Sequence, residues 1–197
     1  MTYKVLVQDL LERNQGYLTT SMAQANGIDR WELSRLVRQG VLVRVAQGLY
    51  IPEDLLPDPY VVAQHRCSKG VFSHETALYF HDLSDRVPLQ LMMTIPSGWN
   101  CSLIKEQDML FFYCRPSWFS LGLDQIKTQA GLWVRCYDME RTICDCVRSL
   151  ERLDRDIVIL AIKNYLKLMK ADKAKLLEYA QIFGIRQMIY QFMEAFQ

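Results

Sequence analysis

The chain has 197 residues, of which half are apolar and 23% are charged, and its net charge is +1. This length allows one large domain or two small ones, and the apolar content excludes a disordered chain. The nearly neutral net charge does not by itself indicate any class of partner.

The sequence gives no sign of a membrane, an export signal or a metal. No apolar run reaches the roughly 18 residues that span a bilayer, and Asp9 and Glu12 occupy the place where an export signal has its apolar stretch. We therefore expect a cytoplasmic protein with no membrane partner and with its six cysteines reduced. Because these cysteines form no Cys-x-x-Cys pair, we predict neither a metal nor another cofactor.

The first fifty residues predict the order helix, helix, tight turn, helix, hairpin. Thr20 or Ser21 is expected to cap the second helix. Asp29, followed three residues later by Glu32, has the capping-box pattern for the third helix, and Gly40 ends that helix. The predicted ranges are 3–14, 22–26 and 28–39 for the helices and 41–45 and 49–51 for the strands.

The third helix has one apolar and one cationic side, as a helix in the DNA major groove requires. With the hairpin as a wing, the pattern predicts a winged helix-turn-helix that binds double-stranded DNA. The candidate DNA contacts are Arg30, Ser34, Arg35, Arg38, Arg44 and Gln47. Trp31 is expected to pack beneath the helix rather than to stack on a sugar. The alternatives are a solvated cationic face and a winged helix that binds only protein.

The rest of the chain predicts a mixed domain. A Pro-rich and acidic linker at 52–59 precedes it, so we predict domains at 1–52 and 53–197. The fold class is α+β: an N-terminal winged helix-turn-helix, then a mixed α/β domain ending in a helical bundle. The predicted elements are helices at 60–67 and 73–80, strands at 89–95, 109–114 and 132–137, and about four helices from residue 139 onward.

No enzyme is predicted. Ser73 and His74 are adjacent, and neighbours on a helix point about 100° apart, so we expect no nucleophile–base pair and a capping role for Ser73. Arg141 and Asp145 predict an intrahelical ion pair. The chain contains no Glu-x-Lys sequence, which argues against a magnesium nuclease.

Two sets of basic residues near the C-terminus have helical spacing and form a candidate second polyanion-binding surface. The alternative is a solvated face. The two sets are Arg148, Arg152 and Arg155, and Lys163, Lys167 and Lys170.

Three separated segments resemble the AbiEi antitoxin family. The first runs from Gly16-Tyr17-Leu18-Thr19-Thr20 through the helix to Gly40 and the strand pair ending Gly48-Leu49-Tyr50. The second is Ser73-His74-Glu75-Thr76-Ala77-Leu78, similar to the family's Ser-His-x-x-Ala-Leu segment. The third is Glu140-Arg141-Thr142-Ile143-Cys144-Asp145, similar to its Glu-Arg-Thr-Ile-x-Asp segment.

The resemblance implies an antitoxin encoded beside a nucleotidyltransferase-like toxin of an abortive-infection pair. Its N-terminal domain would repress the shared operon at inverted repeats in the promoter. Its C-terminal domain would neutralise the toxin without a stable complex, the type IV arrangement. Operators are usually read by two copies of a module on two half-sites, so we expect either a dimer or two monomers that bind cooperatively. The alternatives are a protein that binds and blocks its toxin, and a solitary regulator with a ligand-sensing C-terminal domain; co-purification and gene context separate them.

Overall fold

A computed structural model of the chain describes residues 3–99 and 109–196, and in this part it is a mixed α+β protein, as predicted. The helices are α1 (Tyr3–Arg13), α2 (Thr20–Ala25), α3 (Arg30–Arg38), α4 (Pro59–Arg66), α5 (His74–Phe80), α6 (Pro116–Phe119), α7 (Met139–Arg148), α8 (Arg155–Lys167), α9 (Lys173–Ile182) and α10 (Arg186–Ala195). The strands are β1 (Leu18–Thr19), β2 (Leu42–Ala46), β3 (Leu49–Pro52), β4 (Val71–Phe72), β5 (Leu91–Pro96), β6 (Met109–Cys114), β7 (Leu123–Lys127) and β8 (Trp133–Tyr137).

The chain forms two compact units, Met1–Ser68 with Gln129–Leu132, and Lys69–Thr128 with Trp133–Gln197. None of the helices within the described ranges is long and apolar enough to cross a membrane. The five cysteines of the described ranges are buried and form no disulfide there, and Cys101 lies outside these ranges.

The first unit packs α1, α2 and α3 against an antiparallel sheet of order β1-β3-β2. Its core holds Leu18, Ile28, Leu33 and Leu36, all fully buried. One prediction is wrong: the cap of α2 is Thr19, whose Oγ1 accepts a hydrogen bond from the amide of Met22 at 3.1 Å. The helix begins at the residue after β1, so the cap comes earlier than the residue types at 20 and 21 suggested.

The first unit extends beyond residue 52, where the predicted domain ends. Asp58 is buried, it caps α4, and its amide donates to the Tyr17 hydroxyl at 2.7 Å. Val61 and Val62 of α4 pack on the apolar cluster that contains Leu49. Because these contacts fix α4 to the hairpin of the first unit, the Pro-rich segment joins two parts of one unit.

The second unit is built on a mixed sheet of order β6-β5-β4-β8-β7. β4 and β8 are parallel, as are β5 and β6, whereas β4–β5 and β7–β8 are antiparallel. Sequence patterns missed β4 and α6, which are very short. They also missed β7, whose residues are nearly all exposed and therefore lack apolar alternation.

The helices α7 to α10 follow the sheet, as expected for the C-terminal part of the chain. Their apolar sides form the main core of the second unit, with α5 and α7 in contact. Before β7 the chain turns at Gly122, whose φ of +70° lies in the left-handed region. The Gly122 carbonyl accepts from the amide of Asp138, the N-cap residue of α7, at 2.8 Å.

Candidate nucleic-acid interface

Helix α3 separates its apolar and polar sides. Asp29 caps it, with Oδ1 accepting from the Glu32 amide at 2.7 Å, as predicted. Leu33 and Leu36 are fully buried on one side. Arg30 and Ser34, which is one turn further along the helix, are exposed. The Ser34 hydroxyl donates a hydrogen bond to the Arg30 carbonyl at 2.9 Å. The apolar side of α3 therefore packs on the core of the first unit, and its other side presents polar groups to solvent.

The β2–β3 hairpin lies beside this polar side. Gly48, at its turn, has a φ of +73°, and its carbonyl accepts from the Thr20 amide at 2.9 Å. A side chain at Gly48 would approach the Thr20 Oγ1 to 3.1 Å, so glycine permits this close contact. On β2, the Nε of Arg44 donates to the carbonyl of Ala46 at 3.3 Å, which orients the guanidinium.

A polar depression lies between α3 and the hairpin. Its lining carries two guanidinium groups, and none of the described residues that line it is acidic. The lining residues are Thr20, Arg30, Ser34, Arg44, Gln47, Gly48 and Tyr50. Four of the six predicted DNA contacts thus share one surface. Thr20 and Tyr50 also line it but were not predicted as DNA contacts, and the sequence indicated Thr20 only as a helix cap. A threonine at the start of a helix and a tyrosine on a strand are common in purely structural roles, so their residue types did not indicate a binding surface.

The other two predicted contacts do not line the depression. Arg35 is half-buried and ion-paired with Glu32, a residue whose side chain is only 5% exposed. Arg38 lies exposed in the last turn of α3. That Arg35 and Arg38 contact DNA remains a prediction. Arg35 also forms the ion pair that neutralises the nearly buried Glu32 carboxylate.

Trp31 does not pack beneath α3, contrary to the expectation from sequence. It is 65% exposed, with the Arg35 guanidinium 6.0 Å from its ring centroid. Ile28, just before the helix, and Leu33 fill the core instead. The indole therefore extends the exposed side of α3.

In the second unit, Ser73 and His74 do contact each other, which corrects the sequence prediction. The Nδ1 of His74 lies 2.8 Å from the Ser73 Oγ, and no side-chain capping bond is made by Ser73. The helical argument failed because Ser73 precedes α5 in an extended conformation and His74, the first residue of α5, has a φ of +52°, so the two are not successive residues of a regular right-handed helix. Ser73 also accepts from Thr94, and the His74 Nε2 lies 3.1 Å from the Ser149 Oγ.

The Ser73–His74 pair is closed off from solvent. Both residues are buried, and the His74 ring stacks on Phe112 with 3.5 Å between ring centroids. Burial, reinforced by the cationic charge of Arg141, holds the pKa of His74 well below its ordinary value of 6.5. The pair is a neutral polar cluster inside the second unit.

The Glu140–Asp145 segment holds α7 in place. Arg141 is fully buried, and its Nε donates to Asp145 at 2.8 Å, which confirms the predicted ion pair. Its Nη1 donates to the carbonyls of Trp118 and Leu121 at 2.6 and 2.9 Å. Glu140 accepts from the Tyr165 hydroxyl at 3.0 Å. These contacts connect α7 to α6 and α8.

The first C-terminal basic set does not form a helical stripe. Helix α7 ends at Arg148 and α8 begins at Arg155, so no single helix spans the set. Arg148 pairs with Asp145 at 3.3 Å and lies over the Trp118 ring. Arg152 lies over the Phe112 ring, 4.3 Å from its centroid.

The lysine set is exposed, although only two of its members lie on α8. Lys163 is 4.7 Å from the ring centroid of Phe196, and Lys167 is the last residue of the helix. Lys170 follows after the helix has ended, which breaks the expected spacing. The role of both basic sets in binding a polyanion remains a prediction.

No group of three or more potential metal ligands occurs in residues 3–99 and 109–196. The two histidines of the α5 region have different partners: the Nε2 of His81 lies 2.6 Å from the Tyr137 carbonyl oxygen, whereas His74 contacts Ser73 and Ser149.

Comparisons with known proteins address the fold and the N-terminal unit. The structure is similar to the crystal structure of RV2827C protein from Mycobacterium tuberculosis, with a TM-score of 0.54 and 12% identity. The similarity covers 90% of this chain and 80% of that chain, and at this identity it concerns the fold alone. No curated protein matches the sequence. Residues 6–52 match the family model described as transcriptional regulator, AbiEi antitoxin. This match contains α2, α3 and the hairpin that carry the polar depression, so the part of the chain that forms the depression is similar to AbiEi antitoxin transcriptional regulators.

Proposed function

We propose that the first unit is a winged helix-turn-helix that binds duplex DNA, with α3 in the major groove and the β2–β3 hairpin as the wing. The observation that carries this proposal is the shared depression, to which α3 contributes Arg30 and the hairpin contributes Arg44. A guanidinium can bind guanine through two hydrogen bonds or clamp a phosphate. Placing two of them on adjacent elements suits a surface that follows a groove and the neighbouring backbone.

In this proposal the protein is a cytoplasmic antitoxin and autorepressor of its own operon. Two copies, as monomers or a weak dimer, read inverted repeats in the promoter. The second unit neutralises a nucleotidyltransferase-like toxin without a stable complex, as in type IV abortive-infection pairs. The family match of residues 6–52 supports repression. The proposal of neutralisation depends on the resemblance of the Ser73 and Glu140 segments to the same family, which is seen in the sequence alone. The exposed Lys163, Lys167 and Lys170 are the proposed second polyanion surface.

Arg30→Ala and Arg44→Ala should each weaken binding to the operon's promoter duplex by about 1–3 kcal/mol, because each removes a cationic contact in the depression. Fluorescence anisotropy with the labelled duplex measures the change, and affinity should fall steeply with added salt as counterions return to the DNA. Arg13→Ala is the matched control, since Arg13 is an exposed arginine on α1 that pairs with Asp9. Equal affinities for Arg30→Ala, Arg44→Ala and Arg13→Ala would refute the proposal.

Repression and neutralisation should be separable in the full chain. The double variant Arg30→Ala/Arg44→Ala should lose repression of a promoter–reporter fusion yet still restore growth to cells that express the toxin, because both substitutions lie in the first unit. Growth and reporter output are measured in the same strains. Loss of growth rescue together with repression would contradict separate functions. Co-purification of the toxin with the wild-type chain would instead favour direct blocking.

A further inference from the structure

The second unit has an exposed aromatic and cationic surface on the β7–β8 hairpin. In the antiparallel register Lys127 lies opposite Trp133, and Gln125 lies opposite Arg135. Because side chains alternate along a strand, these residues share one face, and Leu123 belongs to it as well. We call this set of five residues the hairpin face.

Trp133 is the dominant group of the hairpin face. It is 60% exposed. The Nζ of Lys127 lies 5.2 Å from its ring centroid, so a cation borders the indole. An exposed indole beside a cation offers a ring face on which a flat group can stack.

The charges of the hairpin face have one sign. Lys127 and Arg135 are both cations. Asp124 also lines the depression beside this face, but it lies opposite Cys136 in the register, so the alternation of side chains assigns it to the other face of the hairpin. The depression itself is lined by Leu123, Asp124, Gln125, Trp133 and Arg135. An anionic ligand with a flat ring matches the sign of these charges and the exposed face of the indole.

We propose that the hairpin face binds single-stranded nucleic acid, with a base stacked on Trp133 and the phosphates beside Lys127 and Arg135. Unpaired bases expose the ring faces that an indole can stack on, whereas a duplex keeps them inside its stack. Gln125 lies next to Arg135 and can bond the edge of a stacked base. This site is independent of the duplex-binding depression proposed for the first unit.

The test uses the full chain and a fluorescein-labelled oligouridine of about twelve nucleotides, a length within the range of single-strand sites. Trp133→Ala should weaken binding roughly five- to a hundredfold, the usual loss for one stacking residue. Lys127→Gln should reduce the slope of log affinity against log salt by about 0.7, the value for one phosphate contact on a single strand. Circular dichroism checks that Trp133→Ala and Lys127→Gln are folded.

Two controls make the outcome specific. Tyr113→Ala removes an aromatic residue that is similarly exposed, on the strand at the other end of the sheet, and should leave binding unchanged. Arg30→Ala/Arg44→Ala should also leave it unchanged while weakening duplex binding. The proposal is overturned if Trp133→Ala binds the oligonucleotide as well as the wild type does, or if the wild type fails to bind it. Loss of single-strand binding in Arg30→Ala/Arg44→Ala would equally overturn it, since the site would then be the depression beside α3.

Discussion

Arg141→Ala should lower the free energy of unfolding by about 3–5 kcal/mol, because it leaves the buried Asp145 carboxylate without its main partner. The loss also removes the hydrogen bonds to the Trp118 and Leu121 carbonyls. It further removes the guanidinium from the Tyr137 ring, whose centroid is 4.2 Å away. For a chain of this size the melting temperature should fall by roughly 6–20 °C, measured by circular dichroism.

Two further variants test the cause of this effect. Arg86→Ala breaks the ion pair with Asp154, in which both side chains are about half exposed, and should change stability by less than about 1 kcal/mol. Combining Arg141→Met with Asp145→Leu should recover much of the lost stability, because no unpaired carboxylate remains buried. A melting temperature of Arg141→Ala equal to that of Arg86→Ala would show that the buried ion pair does not hold α7.

Stability should fall on mild acidification, and His74 should cause a large part of the fall. Burial lowers the pKa of His74 well below 6.5 in the folded chain, whereas in the unfolded chain it is near 6.5. Below pH 6.5 the unfolded state therefore takes up a proton that the folded state does not, and folding loses about 1.4 kcal/mol per pH unit for this residue. Above that pH, His74 adds no pH dependence. Burial also lowers the pKa of His81, which acts in the same direction.

Urea unfolding between about pH 6 and pH 5 measures this dependence. His74→Gln should reduce the slope of stability against pH by about 1.4 kcal/mol per unit, whatever its effect on absolute stability. An unchanged slope in His74→Gln would mean that the imidazole is not the group that resists protonation.

The first unit was the more predictable part of the fold because its signals are local. The cap at Asp29, the stop at Gly40 and the turn at Gly48 each depend on neighbouring residues, and α3 and the hairpin lie where these residues place them. The end of the unit was not predictable in this way. It depends on the hydrogen bond from Asp58 to Tyr17, which joins residues far apart in the sequence.

The same distinction applies to the candidate sites. Helical spacing brought Arg30 and Ser34 to one side of α3, and the hairpin pattern added Arg44 and Gln47. The exposure of Trp31 could not be predicted, because spacing does not show which apolar residues the core has room for. Strand β7 has no apolar alternation, so the hairpin face became visible only through its pairing with β8.

The turn at Gly122 has a consequence for which residue types the second unit can accept there. A methyl group at this position would come within 2.7 Å of the Arg141 Cβ and 3.0 Å of the Asp138 carboxylate. The backbone there also has a positive φ, which is unfavourable for other residues. The position just before β7 therefore accepts only glycine, because the buried Arg141 side chain occupies the space that a Cβ would need. Any redesign of this loop must be planned together with α7.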